Sequence, residues 1–302
     1  MRLPVVVGVD GSEPGLEAVD WAADESVRHG LPLRVVHASL WERYEGVLPA
    51  RTTDRPFDEV VAERIVAVAA ERARRRAPDL DITAEVLAED PAGALLREAT
   101  EAAAVVVGSR GRGGFASLLL GSVGLIVAAR SRGPVVVVRG DRDARDSRHG
   151  RILVGIAEHD EDPPALRFAF REAAARDAEL DAVCVWRRPA HEPAAHPLMS
   201  GGGAGHHEGR AAEVLDRTLE PLARAYPGVR LRRSTVEGVP HRVLTERSAA
   251  ADLLVVGARR RHGLVGLELG RVAHRSLHHA SCPVAVVPHR GPAAGAEAEG
   301  DS

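Results

Sequence analysis

Between residues 108 and 122 glycine recurs at a spacing suited to holding an anion: Gly108, two residues, Gly111, nine residues, then Gly121 followed by Ser122. Glycine accepts positive φ and lets backbone N–H groups reach phosphate oxygens with no Cβ in the way. Ser122 can cap a following helix and offer its hydroxyl to a phosphate, while the helix N-terminus adds partial positive charge. A glycine-rich turn before a capped helix has the same composition, so the loop alone leaves packing and binding both open. Asp10-Gly11-Ser12 closes another apolar run and brings in a carboxylate able to accept hydrogen bonds from a base or ribose edge. Asp10 can equally cap the helix that begins near Glu13 or Pro14. Arg110 and Arg112 lie within the glycine loop and can either neutralise phosphate charge or stay solvated.

These groups need a scaffold that brings two strand ends together, and the sequence predicts one twice. Pro4 to Gly8 (PVVVG) returns as Arg151 to Gly155 (RILVG), an offset of 147 residues. Leu33 to His37 matches Ala182 to Trp186, Val105 to Gly108 matches Leu254 to Gly257, and Gly133 to Val138 matches Cys282 to Val287, all at 149. A small loop insertion accounts for the change. Short β-branched runs near 3–9, 33–38, 82–87, 104–108 and 134–138 predict strands. Between them, three- and four-residue apolar steps predict helices over Pro14 to His29, Pro56 to Arg76, Ala92 to Ala103 and Ser122 to Ser131. Strands that alternate with helices imply an α/β fold of two tandem, doubly wound, five-stranded parallel sheets, because parallel strands need crossover helices. Ligands in such sheets bind at the carboxyl ends of the strands, where both motifs fall. The expected domains are 1–140 and 151–290. Polar, unpatterned Gly140 to Gly150 reads as a flexible linker over 141–150, and 291–302 as a disordered tail. Trp41 to Arg55 and the Pro-, Gly- and His-rich stretch Pro189 to Gly209 read as mobile loops.

Composition narrows the function classes. All 40 basic residues are Arg, scattered along the chain, and the net charge of -3 argues against general nucleic-acid binding. Two cysteines, Cys184 and Cys282, make no disulfide framework or metal spacing. The N-terminus enters a strand-like run without a signal-peptide pattern, and no apolar run is long enough for a membrane helix, so the expectation is a cytoplasmic protein with no membrane partner. His191, His196, His206, His207 and Glu208 match no compact ligand set, and His274 and His278 read as a polar helix face, so no metal site is expected. A chain without Lys has no Walker A motif, and Asp10-Gly11-Ser12-Glu13 replaces the dinucleotide fingerprint.

Taken together, the loop, Asp10 and the repeat resemble the universal stress protein family, in its tandem, ATP-binding form, from Leu3 to about Pro288. The resemblance implies that Asp10 binds adenine, with Gly8 and Ser12 beside it, that Ala38 lines the base pocket, and that Val107 touches the nucleotide. It implies that Gly108, Ser109 and Gly111 approach ribose and phosphates, and that Arg112, Gly121, Ser122 and Val123 hold the phosphate chain. The implied cofactor is ATP, with Mg2+ as an allowed companion. It also implies pairing of the two halves through their last strands, Val135 to Val138 and Val284 to Val287, with homodimerisation and an unidentified protein partner compatible with it. The second half departs from the pattern: Ala157, Glu158 and His159 replace Asp10, Gly11 and Ser12, Arg260 replaces Gly111, and Arg271 follows Gly270. That half is expected to be empty, or to hold a smaller anion through Arg259, Arg260, Arg261 and Arg271. Function then reads as a nucleotide-dependent stress-response binding protein. The alternatives are a slow ATPase or phosphoryl-transfer enzyme, for which no general base stands out, and an interaction module with a vestigial loop.

Overall fold

The computed structural model describes residues 2–40, 57–110, 120–157, 164–187, 202–258 and 269–289. Gly111 and Arg112, the Trp41 to Arg55 stretch, Glu158, His159, His191, His196, Arg259 to Arg261 and the tail over 291–302 lie outside them.

The first half runs β1 (Val5–Gly8), α1 (Glu13–His29), β2 (Leu33–Ala38), α2 (Phe57–Arg76), β3 (Ile82–Leu87), α3 (Pro91–Glu98), β4 (Ala104–Gly108), α4 (Ser122–Arg130) and β5 (Val135–Val138). A one-turn helix, α5 (Arg142–Arg145), leads to β6 (Arg151–Ile156), α6 (Pro164–Arg176), β7 (Glu179–Trp186), α7 (Gly202–Ala225), β8 (Leu231–Glu237), α8 (Pro240–Arg247), β9 (Leu253–Ala258), α9 (Arg271–His279) and β10 (Val284–Pro288). Each half is a parallel sheet, and the two join into one ten-stranded sheet of order β3-β2-β1-β4-β5-β10-β9-β6-β7-β8. The junction is antiparallel, with Val135, Val136 and Val137 opposite Val286, Ala285 and Val284. Unpaired, β5 would present four consecutive valines along a bare sheet edge, a template for aggregation; the partner half covers it.

The apolar runs are explained by burial on both faces, as parallel sheets require. Val5, Val7 and Leu33 enter a core beneath α1 and α2 that continues into Ile152, Leu166 and Phe170 of the second half. Val6, Val105 and Val135 enter the opposite core beneath α3 and α4, continuous with Leu153, Leu254 and Leu277. Both cores therefore cross the domain junction.

Three local expectations are corrected. The third helix ends at Glu98, before Ala103, because the Thr100 hydroxyl closes a turn on the Arg97 carbonyl and Ala103 N–H already pairs with Pro4 as strand. Residues 141–150 are not an unpatterned tether: Asp141 caps α5 by accepting from Ala144 N–H at 2.8 Å. The expected loop to Gly209 is helical from Gly202, so His206, His207 and Glu208 lie on α7. Its glycines are poor helix formers, but Ala211, Leu215 and Leu219 at four-residue steps are buried against the sheet, and that packing outweighs propensity.

Candidate functional site

Strand order reverses at β1: α1 leads to β2 on one side, and the chain later returns to β4 on the other. The crevice between the carboxyl ends of β1 and β4 is thus the topological switch point of the first half. In register, Gly8 lies opposite Val107, which delivers Asp10 and Ser109 to the same crevice.

On the β1 side the chain turns through Gly11 at φ 79°, a left-handed conformation that suits glycine. Asp10 does not cap α1. Ser12 is the N-cap, accepting from Gly15 N–H at 3.2 Å. The Asp10 carboxylate accepts from Ser12 N–H at 3.0 Å and from its hydroxyl at 2.6 Å, fixing the turn. One acid and one hydroxyl are therefore held rigidly at the mouth of the crevice. His37, to which the sequence reading gives no role, donates from Nδ1 to the Val9 carbonyl at 2.7 Å and locks the ends of β1 and β2 together. Its only sequence signal is a polar residue closing an apolar alternation. Ala38 follows it at the end of β2, half-buried beside the crevice.

On the β4 side, Gly108 is fixed by close approach: a Cβ there would stand 2.5 Å from the Pro14 carbonyl oxygen. Gly8 is likewise crowded, by Leu95 at 2.8 Å. Val107 is buried, its side chain in the core near Gly124, so its accessible groups are backbone. The Ser109 carbonyl accepts from Gly121 N–H at 2.9 Å, tying the start of the glycine loop to its end. Gly111 and Arg112 lie between these points, outside the described residues.

Ser122 is not the helix cap: Gly121 is the N-cap of α4, at φ -70° and ψ 150°, and no side chain bonds to the first turn. The N-termini of α1, α3 and α5 are closed by Ser12, Asp90 and Asp141. Among the described residues, no side-chain cap claims the N–H groups in the first turn of α4, which holds Ser122 and Val123. Arg139, at the end of β5, is turned away to the second half, where its guanidinium donates to the Ser276 and Leu277 carbonyls of α9. An anion at the start of α4 would meet N–H donors and the positive end of the helix dipole.

The second half keeps the frame and loses the groups. Ala157 stands after β6 where Asp10 stands after β1, and near the end of β9 a Cβ on Gly257 would lie 3.8 Å from the Ala165 Cβ in the first turn of α6, an ordinary van der Waals contact. Gly270 caps α9 without a side-chain bond, and Arg271 opens the helix.

Comparisons with known proteins agree with this duplication. The model of the universal stress protein family matches residues 1–139 and again 149–288. A universal stress protein of Mycobacterium tuberculosis is 41% identical over 294 residues, covering 94% of this chain and 96% of its own. A second from the same species is 34% identical over 292 residues, covering 93% and 96%. The crystal structure of a universal stress protein from Archaeoglobus fulgidus superimposes with a TM-score of 0.66 at 20% identity, covering 94% of this chain and 98% of that one. Among the described residues no helix is long and apolar enough to cross a membrane.

Proposed function

Because the chain belongs to the universal stress protein family, we propose that its first half binds ATP in the β1/β4 crevice and acts as a nucleotide-dependent regulatory protein. The observation that carries this reading is the first turn of α4, left without a side-chain cap and tied through Gly121 and Ser109 to the strand end that faces Asp10 and Ser12. Adenine and ribose lie toward Asp10 and Ala38, and the phosphates lie over Gly108 and Ser109 toward the N–H groups of Ser122 and Val123. Mg2+ would balance charge on the phosphates. Hydrolysis requires a positioned base for water, and Asp10, the carboxylate at hand, is engaged by Ser12. Occupancy, rather than turnover, is then the output.

Mass spectrometry of the purified protein, with calorimetry against ATP, ADP and AMP, tests this. One adenine nucleotide per chain is expected, with loss of binding in Gly121→Asp, which places a carboxylate where phosphate belongs. No binding to the natural chain overturns the reading. Rapid multiple turnover replaces it with an ATPase.

A further inference from the structure

The second half carries its own charged feature, on α8, α9 and the end of β7. From the second strand onward the repeat offset of 149 residues aligns the two halves. Ala38, Ala92, Gly93, Ser122 and Ile126 of the first half correspond to Arg187, His241, Arg242, Arg271 and Arg275 of the second. Five uncharged positions have thus become four arginines and a histidine. Arg187, Arg242, Arg271 and Arg275 are exposed, and none has a carboxylate partner among the described residues. Elsewhere the chain pairs its arginines closely, as in Arg34 with Glu98 and Arg72 with Asp20, both at 2.7 Å. The four cations converge electrostatically on His241, whose imidazole is held below its ordinary pKa, by desolvation first and then by Arg275, Arg242, Arg187 and Arg271.

Two of these arginines, Arg242 and Arg275, border a concavity together with His241. His241, Arg242, Thr245, Glu246, Arg275 and His279 line a cavity of about 390 Å³ between α8 and α9, the size of a small-molecule site. Glu246 is its one carboxylate. A further change points to an anion: Asp90, which caps α3 by accepting from Gly93 N–H, is replaced by Val239, and α8 begins with no side-chain bond to its first turn. Relative to the first half, the second lacks this capping carboxylate and carries cations on α8 and on the neighbouring α9.

We propose that this α8/α9 face is an anion site for a small polyvalent phosphate compound, gripped by arginine side chains in place of a backbone cradle. Guanidinium groups suit phosphate through paired N–H donors, and several of them without carboxylate partners favour a ligand carrying more than one phosphate group. A cavity of this size fits a compact ligand better than a polymer.

Titration calorimetry with inorganic tripolyphosphate tests the proposal in the natural chain, in Gly121→Asp, and in Gly121→Asp combined with Arg242→Gln and Arg275→Gln. The Gly121 change removes competition from the first-half loop and keeps failure here distinct from failure of the ATP reading. Tripolyphosphate is expected to bind Gly121→Asp, and the two Arg changes to weaken it by roughly tenfold to a hundredfold, since each removes a charge-assisted contact. Circular dichroism should show all variants folded, because both arginines are exposed. No binding to Gly121→Asp, unchanged binding in the triple variant, or equal binding of oligoglutamate would each overturn it.

Discussion

Gly108 is required by packing whether or not a ligand is bound, because the first turn of α1 lies against it. The corresponding Gly257 is less crowded, since a Cβ there would make only an ordinary van der Waals contact, 3.8 Å from the Ala165 Cβ. Gly108→Ala is therefore expected to destabilise the fold by roughly 1–3 kcal/mol, the usual range for overpacking, while Gly257→Ala stays within about 0.5 kcal/mol of the natural chain. Urea unfolding of the two variants measures the difference, and equal effects would show that α1 yields freely. The contrast bears on how far a site can be read from residue types. The spacing from Gly108 to Ser122 points to a strand end and a helix start, and β4 does end at Gly108 and α4 does begin at Ser122, but Gly108 serves helix packing, and Asp10 holds Ser12 instead of capping α1. The first depends on a contact between segments about a hundred residues apart, which no local pattern encodes; the second is local, two residues along the chain, but Asp and Ser both suit the cap and only the geometry separates them. His37 went unnoticed because its partner, the Val9 carbonyl, lies 28 residues away, just beyond the end of β1.

Among the elements, α4 is the helix whose stability and function pull in opposite directions. Gly121 has extended backbone angles that Asp can adopt, and Asp is a good N-cap that also favours the positive end of the helix dipole. Gly121→Asp should therefore leave the nucleotide-free protein as stable or raise it by a few tenths of a kcal/mol, while ATP binding is lost. Gly270→Asp, at the open N-terminus of α9, should match that stability change and leave ATP binding intact. Thermal unfolding with and without ATP separates the two; a Gly121→Asp protein that is both unstable and nucleotide-free would mean that the loop is structural. Elements of this kind were largely legible beforehand: β2, β3 and β4 match their apolar runs residue for residue. The exception was α7, whose glycine-rich start reads as loop and is helical because its buried stripe packs on β7 and β8.

The whole molecule is closed by more than the β5–β10 pairing, because α1 of one half meets α6 of the other through a buried charge cluster. Arg176 reaches Glu25 at 2.6 Å and also pairs with Glu172, while His29 Nε2 lies 3.2 Å from Glu25 and 3.3 Å from Glu172. Glu25, His29 and Glu172 bring ligand atoms within 4.8 Å of one another, as a metal site would, but the Arg176 guanidinium already occupies the charge balance. Arg28 also reaches Glu25 at 3.4 Å and Arg171 reaches Glu172 at 3.6 Å, and His29 stands between the two carboxylates, within hydrogen-bond distance of both. The two glutamates accordingly raise the His29 pKa to about 9.

A pKa raised on folding contributes stability that is complete below the unfolded value, near 6.5, and is lost as pH rises through the folded one. The window is thus about pH 6.5 to 9. A shift of this size corresponds to roughly 3 kcal/mol at about 1.4 kcal/mol per unit. Glu25, whose carboxyl burial pushes up, acts with the same sign at lower pH, whereas Glu172, held down by Arg176 and His29 against its own burial, loses its contribution only on acidification. Stability measured by urea unfolding should therefore fall across pH 6.5 to 9 in the natural chain and stay nearly flat over the same interval in His29→Gln, which carries no titrating group there. Parallel profiles would show that the junction does not depend on this proton. A falling profile that flattens in the variant would show that the two halves are held together by charge as well as by the shared sheet, with the alkaline limit set at α1 and α6.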